Sequence, residues 1–224
     1  MQSRQLSIEE RAYHEAGHVI VGYYFKIPFS EVKIYEGEMP KELKLSGEMI
    51  MFIGGEVNGT DKYSSLELFA NSSLLCQFAI YLLAGYEAQK KYNPNGSFNS
   101  IFGDYLQARN VITHNLNAYG FDESDSEKLG DQILIAYRFS SKEMVELLWP
   151  LITKVANTLL ENKKLSYFEA KKIIETHETK QIKNDFNSLL FEAEKNYNKI
   201  NLKLLENYNI DIQTKYLKSD FGKK

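Results

Sequence analysis

Two histidines four residues apart, in His14-Glu15-Ala16-Gly17-His18, constrain this chain more than any other feature. On an α-helix, positions i and i+4 share a face, so both imidazoles can reach one metal ion while Glu15 projects beside them toward a bound water. HExxH therefore predicts metal-assisted hydrolysis, with zinc as the ion, His14 and His18 as ligands and Glu15 as general base. The surrounding residues favour the helix that this reading needs. Ser7-Ile8-Glu9-Glu10 has the capping-box pattern, and no proline follows until Pro28, so the helix can run from Ser7 to Phe25. Val19-Ile20-Val21 and Tyr23-Tyr24-Phe25 make its second half apolar nearly all round, which predicts a buried helix carrying its histidines inward.

A hydrophobic fraction of 43% over 224 residues is enough for a globular core. The net charge of -3, with lysines interleaved among acids, offers no basic footprint for nucleic acid. The single Cys76 sits in an apolar run and reads as a buried small hydrophobe. With no disulfide framework and no secretory leader, the expected location is cytoplasmic. The longest apolar run, about Leu74 to Gly85, is too short to span a membrane.

Coarse periodicity predicts a mainly α-helical array with a small two-stranded β-ribbon. The ribbon would join the Val32/Ile34 segment to Ser46–Ile53 through the polar connection Glu36–Lys41, with the second strand along the rim of the cleft or simply covering the core. Further helices are expected at about Ser65–Lys91, Gly103–Asn117, Ser124–Phe139 and Lys142–Leu160, with Pro150 kinking or breaking the last. Tyr119-Gly120 would close the third, and Ser166 would cap a short helix to about Glu175. Beyond His177 the composition turns to Lys, Asn and Glu, with a thin stripe of Phe186, Leu189, Leu190, Phe191 and Ala193. This divides the chain into residues 1–176, a metallopeptidase-like domain, and 177–224, an amphipathic helix or mobile tail.

Two histidines do not complete a catalytic zinc site, which usually takes three protein ligands and leaves a position for water. Glu87, Asp104 and His114 are the candidates for the third. Spacing leaves all of them open: Asp104 can equally serve a helix N-terminus, Glu87 a solvated helix end, and His114 a core. His114 and Tyr105 are also conceivable oxyanion donors, though packed side chains are the simpler reading.

Taken together, His14–His18, Thr60-Asp61-Lys62-Tyr63, Leu83-Ala84-Gly85-Tyr86-Glu87-Ala88 and Gly103-Asp104-Tyr105-Leu106-Gln107-Ala108-Arg109 resemble the peptidase domain of the FtsH family of ATP-dependent zinc metalloproteases. With the closing helices around Leu147–Ser166, the resemblance covers about residues 8 to 176. It implies an FtsH-type zincin fold and places the third ligand on Asp104, in a segment that carries one extra residue before its leucine. There are departures: Tyr86 stands where the family has arginine, and the acidic pair that follows is reduced to Glu87 with Gln89. No phosphate-binding loop occurs in these residues. The expectation is a zinc endopeptidase that acts on flexible or unfolded polypeptides without its own ATPase, and that could self-associate or receive substrate from a separate ATPase partner. The competing expectation is a non-catalytic interaction module that keeps the protease fold and the zinc.

Overall fold

The first helix begins where its cap predicts. In the computed structural model, which describes residues 6–35, 52–53, 55–56, 72–96, 102–118 and 120–207, α1 spans Ile8–Tyr24. The Ser7 side chain accepts the Glu10 N–H at 3.2 Å, and Glu10 accepts the Ser7 N–H at 2.8 Å. The other Glu10 oxygen accepts from Asn93 at 2.8 Å. One carboxylate thus starts α1 and ties it to the turn that follows the second helix.

The remaining elements are β1 (Glu31–Lys33), β2 (Phe52–Ile53), β3 (Gly55–Glu56), α2 (Ser72–Tyr92), α3 (Phe102–Ala118), α4 (Glu123–Asn162), β4 (Lys164–Ser166), α5 (Tyr167–His177) and α6 (Lys180–Asn207). The protein is mainly helical with small antiparallel strand pairs, and none of its described helices is long and apolar enough to cross a membrane.

α1 lies against α2 and α4, which also pack on each other, so residues Ala12 to Gly22 are buried on every side. Small residues set the closeness of the α1 and α2 axes. A Cβ added at Gly17 would stand 2.6 Å from the Ala84 carbonyl oxygen and 2.8 Å from the Ala88 Cβ, nearer than atoms can approach without a shift. At the N-terminal end the Tyr13 ring stacks between Tyr92, at 4.2 Å, and Trp149, at 5.2 Å, fastening α1 to both neighbours.

The strand pairing differs from the expected ribbon. β1 pairs antiparallel with β4, in the register Glu31 to Ser166, Val32 to Leu165 and Lys33 to Lys164. The described end of the 46–53 segment, β2, pairs with β3; residues 36–51 lie outside the described part. A long-range partner of three residues, directly after a helix, leaves no alternation by which to recognise it. Lys163 makes the junction: at φ 61° it ends α4, and its carbonyl accepts the Ile34 N–H at 2.9 Å.

A second correction concerns Ser124–Phe139 and Lys142–Leu160, which form one helix, α4. The intervening serines do not break it, because their hydroxyls find carbonyl partners: Ser140 bonds back to Ala136 at 3.4 Å, and Ser141 reaches Ile80 of α2 at 3.2 Å. Pro150 lies within this helix on an exposed face, as does Glu146, so the carbonyl deprived of its i+4 donor can turn to water. The start expected at Ser65 for the second helix, and the loop before it, fall outside the described residues. The cap at Ser166 forms, with Glu169 closing the box at 2.8 Å. Of the two readings of the tail, residues 180–207 are helical, and α6 packs on α2 and α4.

Removing the proline should strengthen α4 without altering its packing. Pro150→Ala is expected to gain about 1 kcal/mol or more, the usual cost of an interior helical proline less the relaxation already made for it. Urea unfolding of the two proteins measures this; a lower midpoint for the variant would show that Pro150 holds a bend that the core needs.

Candidate metal centre

Burial of α1 sets the chemistry of its histidines. His18 is 1% exposed, and its Nδ1–H donates to the Tyr81 carbonyl at 2.9 Å. Burial, the largest influence, lowers the His18 pKa despite the bonding and charge of Asp104, so the ring is neutral and its Nε2 carries a lone pair. That nitrogen lies 3.2 Å from His14 Nε2 and 3.3 Å from Asp104 Oδ2. The third side of the triangle, His14 Nε2 to Asp104 Oδ2, is 3.1 Å.

Asp104 comes from the first turn of α3, which packs on α2 and so faces the inner side of α1. Burial pushes its carboxyl upward, but hydrogen bonding to the imidazoles, His14 foremost, and their charge when protonated outweigh that and hold it well below the ordinary carboxylate range. With the His18 proton committed to Tyr81, its Nε2 and the Asp104 carboxylate turn lone pairs toward each other, so a proton carried by His14 or a metal ion must lie among these atoms. Among the described residues, His14, His18 and Asp104 form a buried group that could hold a metal ion.

Glu15 is fully buried, and neither of its oxygens has a hydrogen-bond partner among the described residues. Burial and then the Asp104 charge raise its carboxyl well above 4.5, while Arg11, one turn earlier, pulls the other way. Arg11 itself donates to the Tyr35 carbonyl at 2.6 Å.

The other candidates are placed elsewhere. Glu87 is buried but accepts from Arg138 at 2.7 Å, and the same guanidinium donates to the Tyr86 hydroxyl at 2.8 Å and stacks over that ring at 4.7 Å. His114 is exposed on α3, so it is neither a ligand nor the core side chain expected of it, whereas Tyr105 packs partly against the core. Cys76 is buried as expected, and burial pushes its thiol up to about 12, despite a hydrogen bond with Tyr137, so it is no nucleophile at neutral pH. Residues 60–63 lie outside the described part.

Two contributors escape a reading by residue type. The Tyr81 group that fixes the His18 tautomer is a backbone carbonyl, invisible to side-chain chemistry. Gly85 is the other: a Cβ there would stand 2.7 Å from His18 Cδ2 and 2.9 Å from His14 Cε1. Its signal was the small pair Ala84-Gly85 inside a helix, which marks a close approach. Set against known families and curated proteins, the chain matches none.

Gly85→Ala should therefore push both rings aside and weaken metal uptake by about tenfold or more, the scale of losses on disturbing a ligand's support, while adding to the helix propensity of α2. Isothermal titration with zinc reads the first effect and a melt of the metal-free protein the second; parent-like affinity would mean that the rings are not held where Gly85 allows.

Glu15 gives a pH signature in the metal-free chain. With its folded pKa raised, it costs nothing below about pH 4, where folded and unfolded chains both hold the proton. It costs progressively more as pH climbs toward the folded value, because only the unfolded chain can release that proton. The stability of Glu15→Gln relative to the parent should thus rise between about pH 4 and pH 7. Denaturant midpoints across that range test it, and a pH-independent difference would contradict the burial of an ionisable carboxyl.

Proposed function

We propose that the protein is a zinc-dependent endopeptidase of FtsH-type zincin plan, hydrolysing peptide bonds in flexible or unfolded polypeptides without an ATPase of its own. The observation that carries this reading is the convergence of His14, His18 and Asp104 beside the unpartnered carboxylate of Glu15. Their donor atoms stand 3.1–3.3 Å apart, close to the edge of about 3.3 Å of a tetrahedron with bonds of about 2.0 to 2.1 Å. Two imidazoles and one carboxylate suit zinc, and three protein ligands leave a place for water.

When bound, the ion would act as a Lewis acid that makes water acidic and polarises the scissile carbonyl. The chain's own residues supply the rest. Glu15, whose carboxyl is raised by burial and by the Asp104 charge in the metal-free chain, becomes available as a base once divalent charge is held on the neighbouring ligands. It accepts the proton of the attacking water and returns it to the leaving amine. Asp104 offsets part of the ionic charge, and the Tyr81 carbonyl keeps His18 in the tautomer that ligates. β2 lies against α3, the helix of Asp104, so an extended polypeptide could pair with that edge by main-chain hydrogen bonds. Such binding needs an unfolded segment and little sequence preference.

Glu15→Gln should keep about one zinc per chain and lose about 100-fold or more in turnover of an unstructured peptide, since the amide fills the same space without accepting a proton. His14→Ala should lose both zinc and turnover. Elemental analysis beside a fluorogenic peptide assay separates the cases; undiminished hydrolysis by Glu15→Gln would remove the general base, and a metal-free parent would remove the whole reading.

A further inference from the structure

We propose that α6 belongs to the support of the metal centre, with Glu194 as a positioning residue for His18. This rests on the metal-centre reading above and extends it to a helix outside the segment that resembles peptidases. Glu194 Oε1 accepts from the Ser73 hydroxyl and, at 3.2 Å, from Gln77 Nε2, which also lies 3.1 Å from Ser73 Oγ. Ser73 and Gln77 occupy the first turns of α2, where a carboxylate is also favoured by the helix dipole. One turn beyond Gln77 is Tyr81, whose carbonyl receives the Nδ1–H of His18 at 2.9 Å. A continuous path therefore runs from Glu194 through Gln77 and one turn of α2 to a ligand ring.

The same helix grips α1. Phe186 is 1% exposed and lies 4.5 Å from the Tyr24 ring and 5.4 Å from the Phe25 ring, at the end of the helix that carries both histidines. Ala193, 4% exposed, continues the buried face toward Glu194. α6 thus fastens the start of α2 and the end of α1, the two helices whose close crossing at Gly17 and Gly85 seats the rings. Metal ligands tolerate misplacement of only about 0.5 Å, so a fastener at this distance is read out at the metal.

The test uses the full chain with Co²⁺ as the probe, because the visible bands of bound cobalt report coordination geometry independently of activity. Glu194→Ala should bind cobalt about tenfold more weakly, with altered bands, while its far-ultraviolet circular dichroism matches the parent. Glu194→Gln, which keeps an acceptor oxygen in place, should return to within about twofold, a rescue that general destabilisation would not give. Phe191→Ala, on the exposed face of α6 at 62% exposure, should bind as the parent does. A folded Glu194→Ala protein with parent-like affinity and bands overturns the proposal. Should that variant not fold, Gln77→Met breaks the same link from α2, and parent-like binding there overturns it equally. A parent protein that takes up no cobalt removes the metal-centre reading, and this one with it.

Discussion

His18 Nε2, Asp104 Oδ2 and His14 Nε2 lie within 3.3 Å of one another inside the protein, and the first two are acceptors that repel unless positive charge lies among them. The tautomer of His18 makes this arrangement hard to satisfy otherwise, because its one ring proton is committed to the Tyr81 carbonyl. A single proton between the remaining atoms would answer only part of the need. The rest of the fold serves to hold this conflict in place: α1 is enclosed by α2 and α4, α3 brings Asp104 to the same point, and the enclosed carboxyl of Glu15 has no partner among the described residues. A chain that needed only stability would do better with apolar side chains at these positions.

Close helix crossing is the means. Gly17 admits the Ala84 carbonyl, and Gly85 admits the edges of both rings. Each lies on the face where its helix meets the other, so α1 and α2 approach at the level of the ligands and not one turn away. The stack of Tyr13 with Tyr92 and Trp149 at one end, and Phe186 against Tyr24 and Phe25 at the other, brace the crossing from outside.

Local codes were legible and long-range ones were not. The caps at Ser7 and Ser166, the inward histidines and the buried Cys76 follow from patterns within a few residues, where side-chain type alone decides. The division of α4 at Ser140 failed because the hydroxyl of Ser141 is satisfied by Ile80, a partner 61 positions away. β1 found its mate in β4, far along the chain, and no alternation of three residues could foretell it. Spacing left Glu87, Asp104 and His114 equal; a family resemblance chose Asp104, and tertiary partners separate them, since Arg138 occupies Glu87 and solvent surrounds His114. Gly85 and the Tyr81 carbonyl contribute shape and a backbone dipole, which a search by residue chemistry passes over.

The central claim is that His14, His18 and Asp104 close on one zinc. Anomalous diffraction from crystals of the purified full chain, recorded on both sides of the zinc absorption edge, tests it most directly. The account predicts one peak within about 2.0 to 2.2 Å of the two Nε2 atoms and Asp104 Oδ2. A fully folded protein with no peak there, or a metal held by the histidines with a different third protein ligand, would contradict it.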